Sequence, residues 1–412
     1  MQKIGLFLSA FILCISCGKH RDSKLSEGFW LAELQTQDRE ILPFNFELKR
    51  DKGQLTINII NADEVIKVDE IEVLKDSIVI RLPVFEGYIA GNYTDTTITG
   101  KFIKESLNRI VPFKATHGKR DRFKSNREPM LSISGIWETE FSPDTDHSYL
   151  GKGIFTQVGN KVKGTFRTTT GDYRYLEGVM DGDIMKVSTF DGAHAFLFTA
   201  KATDSSLLGI FYSGNHFQEP FVARRNESFE LPDENSLTYL KPGYDKFTFA
   251  FPDSDGRLVS LTDERFRNKA MIIQIMGTWC PNCLDESKFL VNYLKDNPEV
   301  EVGIVALAFE YAKTEEKAFQ RIDRLRTALG IGYPILLAQY GTSSKIKAHE
   351  KLPMLNHLLS YPTTIYIDKK GEVKKIQTGF NGPATGEKYD VFKKEFDVFV
   401  RQLSSAQDDF IK

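Results

Sequence analysis

Three short landmarks recur in the first half of the chain at almost one spacing, and this recurrence restricts the architecture more than any other feature. Gly28-Phe29-Trp30 returns as Gly135-Ile136-Trp137, an offset of 107, and Thr99-Gly100-Lys101-Phe102 returns as Leu208-Gly209-Ile210-Phe211, an offset of 109. Pro112-Phe113-Lys114-Ala115 returns as Pro220-Phe221-Val222-Ala223, an offset of 108. One module of roughly 105 residues is therefore present twice. Inside it, runs such as Leu55-Thr56-Ile57-Asn58-Ile59 and Ser77-Ile78-Val79-Ile80 alternate apolar and polar residues between clusters of Asp, Gly and Asn. That pattern predicts antiparallel strands, about seven or eight in each module. The fold class that follows for the first half is two antiparallel all-β modules, at 18–118 and 128–228, barrel-like or strongly curved, with an open sandwich as the alternative.

The opening Gly-x-Trp resembles the first strand of lipocalin-like barrels, and the resemblance implies a Trp that plugs the barrel base. Two roles for the modules stay open: a pocket for a ligand or partner, or a rigid spacer. Between them, Lys119–Arg127 is polar and mostly basic, and reads as a solvated linker or, less simply, a contact for lipid headgroups. A second linker, at 229–244, carries Glu, Asp, Asn and Ser together with Pro232 and Pro242.

From residue 245 to 405 the pattern changes to strands alternating with helical stretches. Met271–Met276 and Val302–Phe309 read as buried strands, followed by Ile335–Ala338, Thr363–Ile367 and Val373–Thr378. Helices are predicted over Cys283–Leu294, Glu315–Leu329 and Glu387–Leu403. This is an α/β domain with a mixed sheet. The stretch from Gln339 to Ser360, with Lys345, Lys347, His349, Lys351 and Leu352-Pro353-Met354-Leu355, is either a lid facing substrate or a plain helix and loop.

Charge excludes one class of partner. With 54 basic and 56 acidic side chains, a net charge of −2, the chain has no field that would hold nucleic acid by counterion release. Cysteine usage is more informative, because the 4 cysteines fall as two close pairs, Cys14 with Cys17 and Cys280 with Cys283, which is no disulfide framework. Residues 1–17 join Lys3 to an apolar run, Ile4–Ile15, too short to span a bilayer, and so read as a secretory signal. Ile15-Ser16-Cys17-Gly18 resembles the bacterial lipobox, which implies lipidation of Cys17, cleavage before it, and a chain held to a membrane by a lipid anchor in the bacterial cell envelope, facing the periplasm. The departure is Cys14, where a lipobox usually carries Leu. A mature chain of that kind keeps one dithiol, Cys280 and Cys283.

That pair stands where a buried strand runs into a helix. The first cysteine of such a Cys-x-x-Cys sits over the helix N-terminus, where unsatisfied N–H groups and the macrodipole favour a thiolate. Spacing of i and i+3 on one turn lets the two sulfurs bond and separate with little backbone motion, and Pro281 suits the first helical turn. Trp279-Cys280-Pro281-Asn282-Cys283, the strand before it and Tyr361-Pro362-Thr363-Thr364 together resemble the thioredoxin-like superfamily, closest to envelope thiol-disulfide oxidoreductases of the TlpA/ResA type. The resemblance implies a thioredoxin fold over 245–405 with Pro362 in the cis form beside the disulfide. It further implies Cys280 as attacking thiolate, Cys283 as resolving thiol, and Trp279 with Pro362 as the apolar surface flanking the exposed sulfur.

Glu286, three residues after Cys283, occupies the place of a glutamate that tunes the pair in several such proteins, the alternative being a solvated charge on the helix face. Gln274, six before Cys280, stands where an acid or Asn is frequent and cannot itself take a proton, which leaves Glu286 as the candidate acceptor. The expected redox group is the disulfide itself, with no other cofactor. A metal is not expected, since there is no second Cys pair and neither His349 nor His357 could complete a site. Expected partners are thiols and disulfides of envelope proteins as substrates and a membrane electron donor.

Two other functions fit parts of the sequence. A peroxidase is suggested by Phe247-Thr248-Phe249 through Leu261, which resembles the opening of peroxiredoxins; against it, the positions seven and three before Cys280 are Ile273 and Gly277, so the Pro-x-x-x-Thr-x-x-Cys setting is absent. The other is a binding lipoprotein in which the β modules carry the main function.

Overall fold

The computed structural model describes residues 25–405, so the signal segment, Cys14 and the expected lipidation site Cys17 lie outside the described residues. The first module is a nine-stranded antiparallel sheet running from Gly28–Gln35 to Arg109–His117, and these first and last strands pair with each other. Its edges are Glu64–Val68 and Glu70–Leu74, which share no ladder, so the sheet is nearly closed with one seam. The second module repeats the path from Gly135–Phe141 to Phe217–Arg225, and an additional pairing of Tyr149–Val158 with Lys161–Thr168 closes it into a barrel. Each sheet holds nine strands rather than seven or eight. The surplus comes from strands that the sequence does not punctuate: Asp69 alone separates two of them, and Gly171–Asp172 is a two-residue strand.

The repeated Gly-x-Trp has the same physical role in both copies. Gly28 and Gly135 take φ of +111° and +120°, a region that a side chain would strain. Trp30 and Trp137 are fully buried, and each indole N–H donates to the carbonyl four residues earlier, on Ser26 at 3.0 Å and Ile133 at 2.9 Å. Large apolar area is thus buried with its one donor satisfied.

The connector is mostly exposed, as a solvated linker should be, with one exception. Arg122 is buried, donating to the carbonyls of Ile60 in the first module and Ser188 in the second, with Glu177 3.6 Å away. A guanidinium has five donors, enough to satisfy carbonyls on two sheets at once. Stacking of Phe44 on Phe190, 4.2 Å between centroids, joins the two cores beside it. The segment after the second module is tied to the redox domain: Leu240 bridges to Leu355, and Lys241 N–H donates to Met354 O at 2.8 Å.

In the C-terminal domain the five-stranded sheet has the order Ile335–Gln339, Val302–Phe309, Ala270–Met276, Thr363–Ile367, Val373–Thr378, the first three parallel and the last two antiparallel. Every residue of Ala270–Met276 is buried, as the continuous apolar run requires of a central strand. Four α-helices accompany the sheet: α1 (Pro281–Asp296), α2 (Glu315–Leu329), α3 (Lys345–Lys351) and α4 (Glu387–Ser404). Phe289 and Tyr293 of α1 meet Phe396 of α4 at 4.7 and 4.9 Å, fixing the helix that carries the cysteines. Among the described residues no helix is long and apolar enough to cross a membrane.

Candidate active site

The central strand delivers the chain to Gly277, and α1 begins at Pro281, so Cys280 is the N-cap of the helix. Its sulfur accepts from the Cys283 N–H at 3.1 Å, one of the donors that a helix start leaves unpaired. Cys280 and Cys283 are joined as a disulfide with Cα atoms 5.2 Å apart. Cys280 is 6% exposed and Cys283 is fully buried, so the two sulfurs are inequivalent toward an incoming reagent. The Tyr361-Pro362 peptide is cis, and the Tyr361 carbonyl oxygen lies 3.4 Å from Cys280 Sγ. Trp279 packs its ring on Tyr311 and Tyr361, with the indole N–H donating to Phe309 O at 2.9 Å.

Glu286 is buried at 2% exposure, which overturns the reading of a solvated charge on the helix face. One carboxylate oxygen accepts from Gln274 Nε2 at 2.8 Å and the other from Thr364 Oγ1 at 2.6 Å. Gln274 Nε2 also donates to the Cys283 carbonyl at 3.3 Å, so a hydrogen-bonded path runs from the strand after Pro362 to the backbone of the inner cysteine. Burial pushes the Glu286 carboxyl up to about 7, against the two hydrogen bonds that favour its anion.

A second acid, Glu310, was not singled out by sequence. It follows Val302–Phe309, is fully buried, and accepts from Thr278 N–H at 2.7 Å and Thr278 Oγ1 at 2.8 Å. Burial raises it, too, to about 7. The signal was slight: an acid directly after an apolar strand, at the strand end where sites of open α/β sheets gather.

The sequence also gave no sign that the second module reaches this site. Its hairpin around Thr170 lies against the loops that frame the cysteines: Ser360 Oγ donates to Thr170 O at 2.8 Å, Asn282 Nδ2 to Asp172 O at 3.2 Å, and Gly382 N–H to Asp172 Oδ2 at 2.6 Å. Gly379 has φ of +75°, and a Cβ there would stand 2.7 Å from the Thr170 carbonyl carbon. The Gln339–Ser360 stretch is a helix and loop, with Leu352, Leu355 and Leu358 buried and His349 Nε2 2.7 Å from Leu355 O, while Lys345, Leu359 and Ser360 line the cleft beside Cys280. Among the described residues no three His, Cys, Asp or Glu side chains gather as a metal site.

Residues 242–391 match the Redoxin family. The chain is 26% identical over 140 residues to the thiol-disulfide oxidoreductase ResA of Bacillus subtilis, an alignment covering 34% of this chain and 69% of that one. It is 24% identical over 140 residues to the thioredoxin-like protein YneN of the same organism, covering 34% and 73%. A solved thiol-disulfide oxidoreductase from Bacteroides fragilis superposes with a TM-score of 0.27 at 17% identity, over 36% of this chain and 99% of that one.

Proposed function

We propose that the protein is a thiol-disulfide oxidoreductase of the TlpA/ResA type, acting as a reductase on cysteines of envelope polypeptides; the Redoxin match and the likeness to ResA and YneN support this reading. The observation that carries this reading is the pair itself: a disulfide at a helix N-terminus, one sulfur at the surface of a cleft beside Tyr361-Pro362 and the other enclosed.

In the reduced protein, the Cys280 thiolate attacks a substrate disulfide and expels one substrate sulfur as thiolate. Cys283 then attacks the mixed disulfide at Cys280, releasing the second substrate thiol and closing the pair. The helix N-terminus favours the Cys280 thiolate. Glu286, ionised in part near neutral pH, takes up the proton of the resolving thiol in its carboxylate form, while Trp279 and Pro362 flank the reacting sulfur. The disulfide is the redox group and needs no further cofactor. Cys17 carries the lipid anchor, which places the domain on the periplasmic side of a bacterial membrane, where a membrane electron donor reopens the pair.

The test uses two variants. Cys280→Ser abolishes exchange, whereas Cys283→Ser accumulates a mixed disulfide at Cys280 that mass spectrometry detects. Unchanged exchange in Cys280→Ser contradicts the proposal.

A further inference from the structure

Cys280 faces a cleft of about 490 Å³ whose walls come from two domains. The redox domain contributes Trp279, Asn282 and Tyr361, and the second β module contributes Tyr149, Tyr173 and Phe196. The module is seated firmly, through the three hydrogen bonds to Thr170 and Asp172 and the Gly379 contact described above. The aromatic faces beside Cys280 offer an apolar contact to a side chain next to the substrate sulfur.

The barrel wall favours a small substrate over a large one. A disulfide on the surface of a folded protein needs open ground around the attacking cysteine, and here the barrel walls that ground on one side. A cleft of this volume lies in the range that encloses a small ligand or a few residues of peptide. We propose that the β barrel is part of the active site, and that the cleft it forms with the redox domain receives a peptide-sized disulfide in which an apolar side chain flanks the cysteine. This rests on the exchange reading above and narrows its substrate. The step balances as two electrons passing from the Cys280–Cys283 dithiol to the substrate disulfide, which leaves as two thiols; a dithiol reductant restores the pair.

The experiment uses the mature chain, reduced with dithiothreitol and freed of it. Closure of the pair is followed by alkylation after mixing with three probes: the disulfide dimer of N-acetyl-Cys-Phe-amide, insulin, and diamide as a general thiol oxidant. The second-order rate constant for the dipeptide disulfide should exceed that for insulin about tenfold or more. Thr169 lies in the same lining on the barrel side. Thr169→Trp, which fills the cleft, should lower the dipeptide rate by about tenfold while the reduction potential of the pair stays in place. Insulin reacting as fast as the dipeptide, or a Thr169→Trp rate equal to wild type, overturns the cleft assignment while leaving the exchange reading intact. A pair that does not close even with diamide overturns both.

Discussion

Glu286 and Glu310 place two carboxyls in the interior on either side of one disulfide, and their burial has a definite pH signature. In the unfolded chain both release protons near 4.5, whereas the folded protein holds them to about 7. The folded state therefore binds more protons across that window, so stability is greatest on its acid side and falls as pH rises from about 4.5 to about 7, by up to about 3 kcal/mol for each group. Urea unfolding at pH 5 and pH 8 should show this loss, and Glu286→Gln should remove its share; an equal pH slope in the variant contradicts the assignment. In the same variant the pH profile of exchange should shift, because the group that holds the proton near neutral pH is gone. Of these two acids only Glu286 was legible in sequence, by its spacing from Cys283. Glu310 was not, because its partner Thr278 lies 32 positions away in the chain and no local periodicity reports that contact.

At the scale of elements, apolar periodicity carried most of the information. Glu315–Leu329, Thr363–Ile367 and Val373–Thr378 have the predicted limits, since each is bounded by a capping or turn signal such as Thr314, Gly330 or Gly371. The helix of the cysteines starts two residues earlier than its apolar spacing suggested, because Pro281 and Asn282 form its first turn without contributing to the apolar stripe. The repeated Trp was legible as a barrel plug, and its loss should be costly: Trp137→Ala leaves a void in an aromatic core and an unpaired Ile133 carbonyl, for a loss of about 3–5 kcal/mol by denaturant titration. A loss below about 1 kcal/mol would mean that the barrel collapses onto the site. The basic connector was legible as solvated except at Arg122, which only the three-dimensional proximity of Ile60 and Ser188 turns into a clamp.

At the scale of the molecule, a second buried guanidinium joins all three domains. Arg174 of the barrel pairs with Glu64 of the first module and Asp285 of α1, and its Nε lies 3.6 Å from Asp191 Oδ2. Asp285 is two residues from Cys283, so the same arginine that holds the modules together anchors the first turns of the redox helix. Arg174→Met removes the guanidinium shared by three carboxylates and leaves Glu64 without its buried partner, and should cost about 3–5 kcal/mol. It should also separate the unfolding of the redox domain from that of the β modules in calorimetry; a single transition at the wild-type temperature contradicts that role. The links between domains could not be read from sequence, because Glu64 and Asp285 each lie more than 100 positions from Arg174.

The central claim is that Cys280 and Cys283 are an exchanging pair poised for reduction, and its most direct test is their reduction potential, titrated against glutathione with thiol alkylation as readout. A two-electron transition near −270 mV or lower, about that of thioredoxin, is the predicted result. A value near about −120 mV would make the protein an oxidant rather than a reductase, and the absence of any titratable disulfide would contradict the account altogether.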